Sequence, residues 1–404
     1  MGEWRDTSLG EVIELKRGYD LPQKDRIPGK VLLVSSSGVT DHHSVAMVKA
    51  PGVVTGRYGT LGQVFYIRED FWPLNTTLYV RDFKGNDPRF ISYFLGSIDF
   101  LAYSDKAAVP GLNRNHLHQA EVRLPTDPAE QRAIAAVLGA LDDKIEQNRR
   151  TAQALERLAR AIFRAWFVDF EPVKAKAAGA TGFPSMPQQV FDALPTRFVD
   201  SDLGPVPEGW EVKSIATIAT FLNGLALQKY PPRGDGKDLR VIKVAELRKG
   251  STDSADWANG DIPAQYVVND HDLLFSWSGT LEAEFWFGGK GALNQHLFKV
   301  TSTHFPSWFC FLWIRQHLPS FRVIAASKAT TMGHIKRGHL QEAQVVIPAA
   351  DVLQAANVAI GPLYDLYAQV MVESRKLAGM RDLLLPKLLS GKVRIVAGEE
   401  RDAE

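Results

Sequence analysis

A few short groups of side chains carry chemistry that a catalytic or metal site needs. Residues 35–38 place three serines before a glycine, but the sequence places no histidine or acid to activate a serine nucleophile there. His42 and His43 are adjacent in a polar stretch, which is more typical of a solvated turn than of a metal site. Cys310, the single cysteine, lies in an apolar run and is best explained as a buried thiol. We therefore expect no catalytic residue and no metal ligand on this chain.

Motifs that bind phosphates, dinucleotides or zinc are missing as well. The sequence contains no Gly-x-x-x-x-Gly-Lys-Ser/Thr loop, no Gly-x-Gly-x-x-Gly turn and no His-Glu-x-x-His pair. It also lacks an Asn-Pro-Pro-Tyr-like tetrapeptide of the kind expected in an amino-methylating enzyme. The missing motifs therefore predict that the chain carries no complete active site. An enzyme with an unrecognised site stays open as an alternative.

The bulk composition limits the kind of partner that the chain can have. With 404 residues, two or three domains are expected. The chain has 47 Lys and Arg against 46 Asp and Glu, a net charge of +1. Nucleic-acid binding would then need local basic clusters or a partner that supplies further charge. No apolar stretch is long enough to span a bilayer, and no signal peptide is visible, so we expect a cytoplasmic protein without a membrane partner.

The chain contains an internal sequence repeat. Such a repeat matters for every later step, because it determines the architecture of the protein. Trp4 returns as Trp210, and Gly18 returns as Gly224, both 206 positions later. Four further pairs of runs follow in the same order: 53–62 with 273–282, 74–80 with 293–300, 87–95 with 305–313, and 115–125 with 338–348. Five matches in one order, at slowly drifting offsets, indicate an internal duplication.

The local patterns within each half are mixed. Short β-branched runs punctuated by Pro, Gly and Asn predict strands at 31–34, 53–55, 78–80 and 122–124. The apolar stretches after Asp87 and after Phe305 predict a short helix in each half. Each half is therefore expected to be an α+β domain of about 120–150 residues.

A heptad pattern replaces this mixture after Pro125. Asp127 and Pro128 form a good helix start. From there, apolar or small residues alternate at spacings of four and three, which is the seam of a coiled coil. The seam positions are Ile134, Leu138, Leu141, Ile145, Asn148, Ala152, Leu155, Ala159, Ile162 and Trp166.

The second half carries the same seam in the same register, 222 positions later. Its positions are Ala356, Ile360, Leu363, Tyr367, Val370, Ser374, Leu377, Arg381, Leu384 and Leu388. Ser374 and Arg381 break the apolar pattern, and Pro362 is expected to bend the helix. The helices could be amphipathic elements of their own domains. A stripe this narrow more naturally predicts that they pack on each other, at about 20°.

Six segments follow from these patterns. They are a first domain (1–126), a first long helix (127–170), a linker rich in Gly, Ala and Pro (171–207), a second domain (208–348), a second long helix (349–392) and a tail (393–404).

The sequences at the junctions between the domains and the long helices resemble those of one known family. Residues 124–150 (LPTDPAEQRAIAAVLGALDDKIEQNRR) closely follow the first helical region of type I restriction-modification specificity (S) subunits. Residues 155–173 and 377–395 resemble its helix ends, and residues 203–212 resemble the entry to its second recognition domain. The resemblance covers essentially the whole chain. It departs at 349–363, which lack the Glu-Gln pair of the first helix.

The resemblance implies a fold and a function. The implied fold is α+β: two tandem, mixed α/β target-recognition domains separated by two long antiparallel, coiled-coil-like helices, with a pseudo-twofold internal repeat. Each domain would bind one half of a bipartite target in double-stranded DNA. The helices would set the spacer between the half-sites, since a seam of roughly 50 Å, at about 1.5 Å rise per residue, exceeds one duplex turn of about 34 Å.

The resemblance also implies partners. The helices would dock two methyltransferase (M) subunits, which bind S-adenosylmethionine and methylate adenine. Two restriction (R) subunits, which use ATP and Mg²⁺, would join for cleavage. The chain itself would be non-catalytic and would hold none of these cofactors. A non-catalytic protein-binding scaffold with duplicated domains is the alternative.

Candidate DNA contacts follow from the groups that bind base edges and phosphates, which are chiefly Arg, Lys, Asn, Gln and hydroxyls. In the first half the candidates are Lys24, Arg57, Tyr58, Lys106, Asn113, Arg114 and Asn115. In the second half they are Lys229, Arg233, Trp277, Ser278, Lys328, His334, Lys336 and Arg337. Arg57 and Trp277 occupy equivalent positions with different chemistry, as two readers of unlike half-sites would. Solvated loops and simple turns are the structural alternative for each of these residues.

Overall fold

The computed structural model describes residues 3–58, 61–104, 111–327 and 333–395. The chain divides by compactness into two units, residues 1–145 with 376–404 and residues 146–375. Each unit contains one globular lobe and one part of each long helix. We call residues 4–125 the first lobe and residues 211–347 the second lobe. No helix among the described residues is long and apolar enough to cross a membrane.

The first lobe is built from three small sheets. Its strands are β1 (Trp4–Ser8), β2 (Glu14–Arg17), β3 (Val31–Ser35), β4 (Gly38–His43), β5 (Gly52–Gly56), β6 (Val64–Ile67), β7 (Phe71–Pro73), β8 (Thr77–Asp82) and β9 (Glu121–Pro125). Its helices are α1 (Leu9–Val12), α2 (Pro88–Gly96) and α3 (Arg114–His118). The sheets have the orders β2-β8-β5-β6, β4-β3-β7 and β1-β9, and among these strands only β3 and β7 pair in parallel.

The first lobe confirms the strands and the helix predicted from its sequence. The four expected strand segments lie in β3, β5, β8 and β9. Every residue of β5 is buried, as its continuous Val-Val-Thr run suggests. Asp87 caps α2, its carboxylate accepting a hydrogen bond from the Phe90 amide, with Pro88 in the first turn.

The chain then leaves the lobe as α4 (Pro128–Phe163), whose last turn widens into a π-helical turn at Arg164–Val168. Four short elements follow: α5 (Glu171–Ala177), α6 (Gln188–Ala193), β10 (Phe198–Val199) and β11 (Val206–Pro207). Val173, Val190 and Phe191 are buried in the core of the second unit. The segment expected as a linker is therefore folded and packed.

The second lobe has the same sheet topology as the first. Its strands are β12 (Glu211–Ser214), β13 (Thr220–Asn223), β14 (Leu239–Ile242), β15 (Trp257–Ala258), β16 (Val267–Val268), β17 (Leu273–Ser276), β18 (Ala283–Phe285), β19 (Gly291–Leu293), β20 (Leu297–Thr301) and β21 (Gln344–Ile347). Its helices are α7 (Ile215–Ile218), α8 (Val244–Lys249), α9 (Ser307–Ser327) and α10 (Arg337–Glu342). The orders β13-β20-β17-β18, β15-β14-β19-β16 and β12-β21 match those of the first lobe, with one added strand, β16.

Two glycines show why the repeat preserves certain residues. A Cβ on Gly18 would collide with the carbonyl oxygen of Leu74, and a Cβ on Gly224 would collide with that of Asn294. Both glycines thus lie where the chain passes directly over the end of the parallel strand pair. The same contacts fix the register of the runs 74–80 and 293–300, which differ in length by one residue: Leu74 is equivalent to Asn294.

The helix after Phe305 is longer than the sequence suggested. α9 has 21 residues, against nine in α2, and it continues through Pro319. Its first part, from Trp308 to Ile314, is buried without interruption in the core of the second unit. That core is large enough to cover a helix on all sides, so burial outweighs the weak amphipathic pattern.

The second long helix, α11 (Ala350–Leu389), forms one 40-residue helix that includes Pro362. In the first unit, the beginning of α4 shares a core with the end of α11, and Asp142 pairs with Arg381 at 2.9 Å. In the second unit, Asn148 binds Glu373, and later residues of α4 share a core with the beginning of α11. Within each unit, the two helices therefore run antiparallel.

All seam positions of both helices are buried or half-buried. They are Ile134, Leu138, Leu141, Ile145, Asn148, Ala152, Leu155, Ala159, Ile162, Trp166, Ala356, Ile360, Leu363, Tyr367, Val370, Ser374, Leu377, Arg381, Leu384 and Leu388. Arg381, which breaks the apolar pattern, is accommodated by Asp142, whose second carboxylate oxygen accepts the Tyr93 hydroxyl at 2.5 Å.

Candidate nucleic-acid interface

The end of β5 brings several candidate residues of the first lobe together. The Arg57 amide donates to the Thr76 carbonyl (2.8 Å), and the Leu112 amide donates to the Arg57 carbonyl (2.9 Å). These bonds hold Arg57 and Tyr58 beside the segment that starts α3. Together with Arg17, they line one cleft whose other residues are Leu78, Gly111, Leu112, Asn113, Arg114 and Asn115.

This cleft is basic and carries hydrogen-bond donors. Arg57 lies over the Tyr58 ring, 4.7 Å from its centroid, and Tyr58 is 42% exposed. Arg114 is exposed, and Arg17 is opposed by Asp20 at 3.4 Å. A chain of nearly zero net charge thus gathers three guanidinium groups at one concave surface, as binding to a phosphate backbone requires.

Two neighbouring polar residues, Asn113 and His118, have side chains that form hydrogen bonds within the fold. The Asn113 side chain accepts a hydrogen bond from the Asn115 amide (3.0 Å) and so caps α3. Burial, together with the positive charges of Arg114 and Lys84, lowers the pKa of His118. The neutral ring accepts a hydrogen bond from the Leu15 amide at 3.0 Å.

The second lobe repeats this backbone with other side chains. The Trp277 amide donates to the His296 carbonyl (3.3 Å), and the Ile335 amide donates to the Trp277 carbonyl (2.9 Å). Ser278 forms an isolated bridge with His334, as Tyr58 does with Gly111. The equivalence of Arg57 and Trp277, inferred from sequence, is therefore matched by the main-chain hydrogen bonds.

Two candidate contacts in the second lobe need correction. The Trp277 indole N–H donates to Asn223 Oδ1 (2.9 Å) and to the Gln295 carbonyl (3.0 Å), so it is already satisfied within the protein. Ser278 is 4% exposed, and its hydroxyl is bonded to His296 Nδ1 at 2.8 Å. Trp277 is a half-buried packing platform, and Ser278 positions His296; neither offers its polar group to a ligand.

The start of α10 offers exposed cations. Lys336 and Arg337 are both exposed there and are equivalent to Asn113 and Arg114 at the start of α3. His334 is half-buried, with its ring 6.3 Å from that of Trp277. This part of the second lobe therefore presents positive charge at the place where the first lobe presents its cleft.

The remaining candidates lie elsewhere or outside the described residues. Lys24 and Lys229 are exposed in short helical turns, and Arg233 is exposed with Asp261 at 3.6 Å. None of these three lines the cleft of Arg57. Lys106 and Lys328 lie outside the described residues.

Sequence reasoning missed four residues of this surface. Arg17 lines the first cleft, Thr76 lies against Arg57, and His296 and Gln295 lie against Trp277. A signal was available for three of them, because they occupy the unlike positions inside the repeated runs 74–80 and 293–300. Arg17 had no comparable signal. Among the described residues, no group of three His, Cys, Asp or Glu side chains is arranged to hold a metal ion.

Comparison with known proteins shows what this chain is similar to. Residues 1–157, which include the whole first lobe and most of α4, match the type I restriction modification DNA specificity domain. The resemblance stated from the sequence is thus confirmed.

Two relatives extend the similarity beyond residue 157. The MjaIX type I restriction enzyme specificity subunit of Methanocaldococcus jannaschii is 26% identical over 301 residues, which span 72% of this chain and 65% of the relative, just under two thirds of its length. The HindI type I restriction enzyme specificity subunit of Haemophilus influenzae is 22% identical over 97% of this chain and 100% of its own length.

A solved structure shows the same fold. The crystal structure of the type I restriction-modification S subunit from M. genitalium has a TM-score of 0.60 and 14% identity, covering 96% of each chain. The expected α+β architecture with two long helices is confirmed.

Proposed function

We propose that this chain is the DNA sequence-specificity subunit of a type I restriction-modification complex. Each lobe binds one half of a bipartite target in double-stranded DNA. The observation that carries the proposal is that the two lobes offer the same main-chain frame with unlike exposed side chains. The start of α3 presents Asn113 and Arg114, and the start of α10 presents Lys336 and Arg337. A split target with unlike halves needs that combination, because direct readout depends on side chains at base edges.

The helices and the partners form the second part of the proposal. α4 and α11 set the spacer between the half-sites and dock two M subunits, which bind S-adenosylmethionine and methylate adenine at N6. Two R subunits, with ATP and Mg²⁺, complete the nuclease. The chain itself catalyses no step, and its own residues only bind and orient the DNA. Supporting a DNA-binding role, the candidate surface holds cations and amides, which are groups that bind phosphates and base edges.

The proposal is tested by DNA binding of the complex with M subunits. Arg57→Ala, or Lys336→Ala together with Arg337→Ala, should weaken binding about tenfold and reduce its salt dependence, because each lost phosphate contact lowers the log–log slope by about 0.9. Lys49→Ala is the matched control, since Lys49 is another cation of the first lobe but precedes β5, whereas Arg57 follows it. Unchanged affinity and salt slope in the first two variants would favour a protein-binding scaffold instead.

A further inference from the structure

A three-residue turn precedes β8 in the first lobe, and an equivalent turn precedes β20 in the second. The Thr77 amide donates to the Leu74 carbonyl (2.9 Å), and the Leu297 amide donates to the Asn294 carbonyl (3.0 Å). Gly18 and Gly224 pass over the two turns in the same way. The main chain of residues 74–76 is therefore reproduced in residues 294–296.

The last residue of each turn touches the centre of the candidate interface. The Thr76 carbonyl accepts the amide of Arg57, and the His296 carbonyl accepts the amide of Trp277. Both Thr76 and His296 are half-buried rather than enclosed in a core. Each residue therefore lies beside the strand end that leads into the surface proposed to meet DNA.

The side chains at this shared position are unlike and are not used by the fold in the same way. The Thr76 hydroxyl oxygen is buried and has no hydrogen-bond partner among the described residues, so it is enclosed by the fold. His296 is held at Nδ1 by the buried Ser278 hydroxyl (2.8 Å), and its Nε2 lies 3.4 Å from the Gln295 amide nitrogen. Its ring lies 5.9 Å from that of Trp277. The ring is thus packed on Trp277, held closely at Nδ1 and contacted at longer range at Nε2, which makes it a pre-oriented hydrogen-bonding group.

We propose that His296 is a base-reading residue of the second lobe. Ser278 and Trp277 hold the His296 ring, and Nε2, whose contact with Gln295 is the longer of the ring's two polar contacts, meets the edge of one base pair of the second half-site. This inference rests on the proposed function and adds to it a position at which the second lobe discriminates.

The test uses the complete complex with M subunits and a DNA library that contains randomised sites, with methylated positions mapped by long-read sequencing. His296→Thr places the first-lobe residue in the second lobe. It should change or relax one base position of the second half-site, leave the first half-site unchanged, and lower affinity for the original target about tenfold. His304→Thr makes the same substitution at an exposed histidine beyond the other end of β20 and should leave both half-sites unchanged.

A second variant guards against a folding defect in His296→Thr. Ser278→Ala removes only the hydroxyl that holds the ring, so it should relax the same base position while the thermal unfolding midpoint stays close to that of the wild type. If the wild type methylates a bipartite target and both variants keep it unchanged, the reading role of His296 is overturned and the proposed function stands. If the wild type yields no bipartite target, the proposed function fails, and this inference fails with it.

Discussion

Arg57 and Trp277 show what a single residue can and cannot disclose in a sequence. Their equivalence could be predicted, because repeated strands and glycines flank both. Their roles could not, because the indole N–H of Trp277 is satisfied by Asn223 and by the carbonyl of Gln295, which lie 54 and 18 residues away in the chain. Ser278 likewise reads as a surface hydroxyl in the sequence, yet it is buried against His296.

The half-buried carboxylate of Glu284 gives a prediction at this scale. Glu284 and Glu156 share Arg315, at 2.9 and 2.6 Å. Burial raises the pKa of Glu284 to about 7, from a usual value of 4.5, and the nearby charge of Glu156 adds to the rise although Arg315 opposes it. The folded state thus holds a proton that the unfolded state releases above pH 4.5. Stability therefore falls as pH rises from about 4.5 to about 7.

Glu284→Gln should remove this dependence. As pH rises through this window, the free energy of unfolding of the variant should increase relative to that of the wild type. The increase should be up to about 1.4 kcal/mol per pH unit, because the amide never has to lose a proton. Denaturant titrations at several pH values measure the difference, with Glu208→Gln as a control at an exposed carboxylate. Parallel stability profiles for Glu284→Gln and the wild type would contradict the assignment.

Among the elements, those that follow a strict period could be predicted and those that depend on distant packing could not. The heptad seam places α4 and α11 correctly, since its spacing decides which residues are buried. The packed segment 171–207 and the length of α9 were missed, because their apolar residues serve a core that the local sequence does not reveal. Arg381 interrupts the apolar pattern of the seam. Its guanidinium is accommodated there because it pairs with Asp142, which lies 239 residues away in the chain.

The close approach at the strand ends predicts the effect of two substitutions. Gly18→Ala and Gly224→Ala should each lower the free energy of unfolding by about 2 kcal/mol or more, because the added methyl group meets a backbone carbonyl that cannot move independently. Gly96→Ala is the control: it lies at the end of α2, and a Cβ there meets nothing within 4 Å. Chemical denaturation measures the free energy of unfolding of the three variants. Equal values for all three would contradict the close packing of Gly18 and Gly224 against the backbone carbonyls.

In the whole molecule, the duplication is the feature that sequence reveals most fully. Paired runs from Trp4 and Trp210 onward predict two lobes of one topology, and both lobes have it. The near-zero net charge, by contrast, gives no hint of a DNA surface. Only folding brings Arg17, which lies in β2, beside Arg57 and Arg114. The charge that matters is a local arrangement that composition averages away.

The proposed role of the long helices predicts the effect of an insertion. Four residues added after Gln147, within α4, lengthen a helix by about 6 Å, close to two base-pair steps. The complex should then recognise a longer spacer between unchanged half-sites. Four Gly and Ser residues inserted after Gly179, an exposed turn residue with open space around it, should leave the spacer as it was. Altered half-sites with an unchanged spacer would contradict the proposal that the long helices set the spacer length.

The central claim is that the two lobes read two different half-sites on one DNA molecule. Long-read mapping of adenine methylation on DNA treated with the wild-type complex tests it most directly. The expected result is one bipartite motif with two unlike half-sites, a fixed number of unspecified bases between them, and methylated adenines in both halves. A contiguous motif, two identical half-sites, or methylation without a sequence motif would contradict the claim.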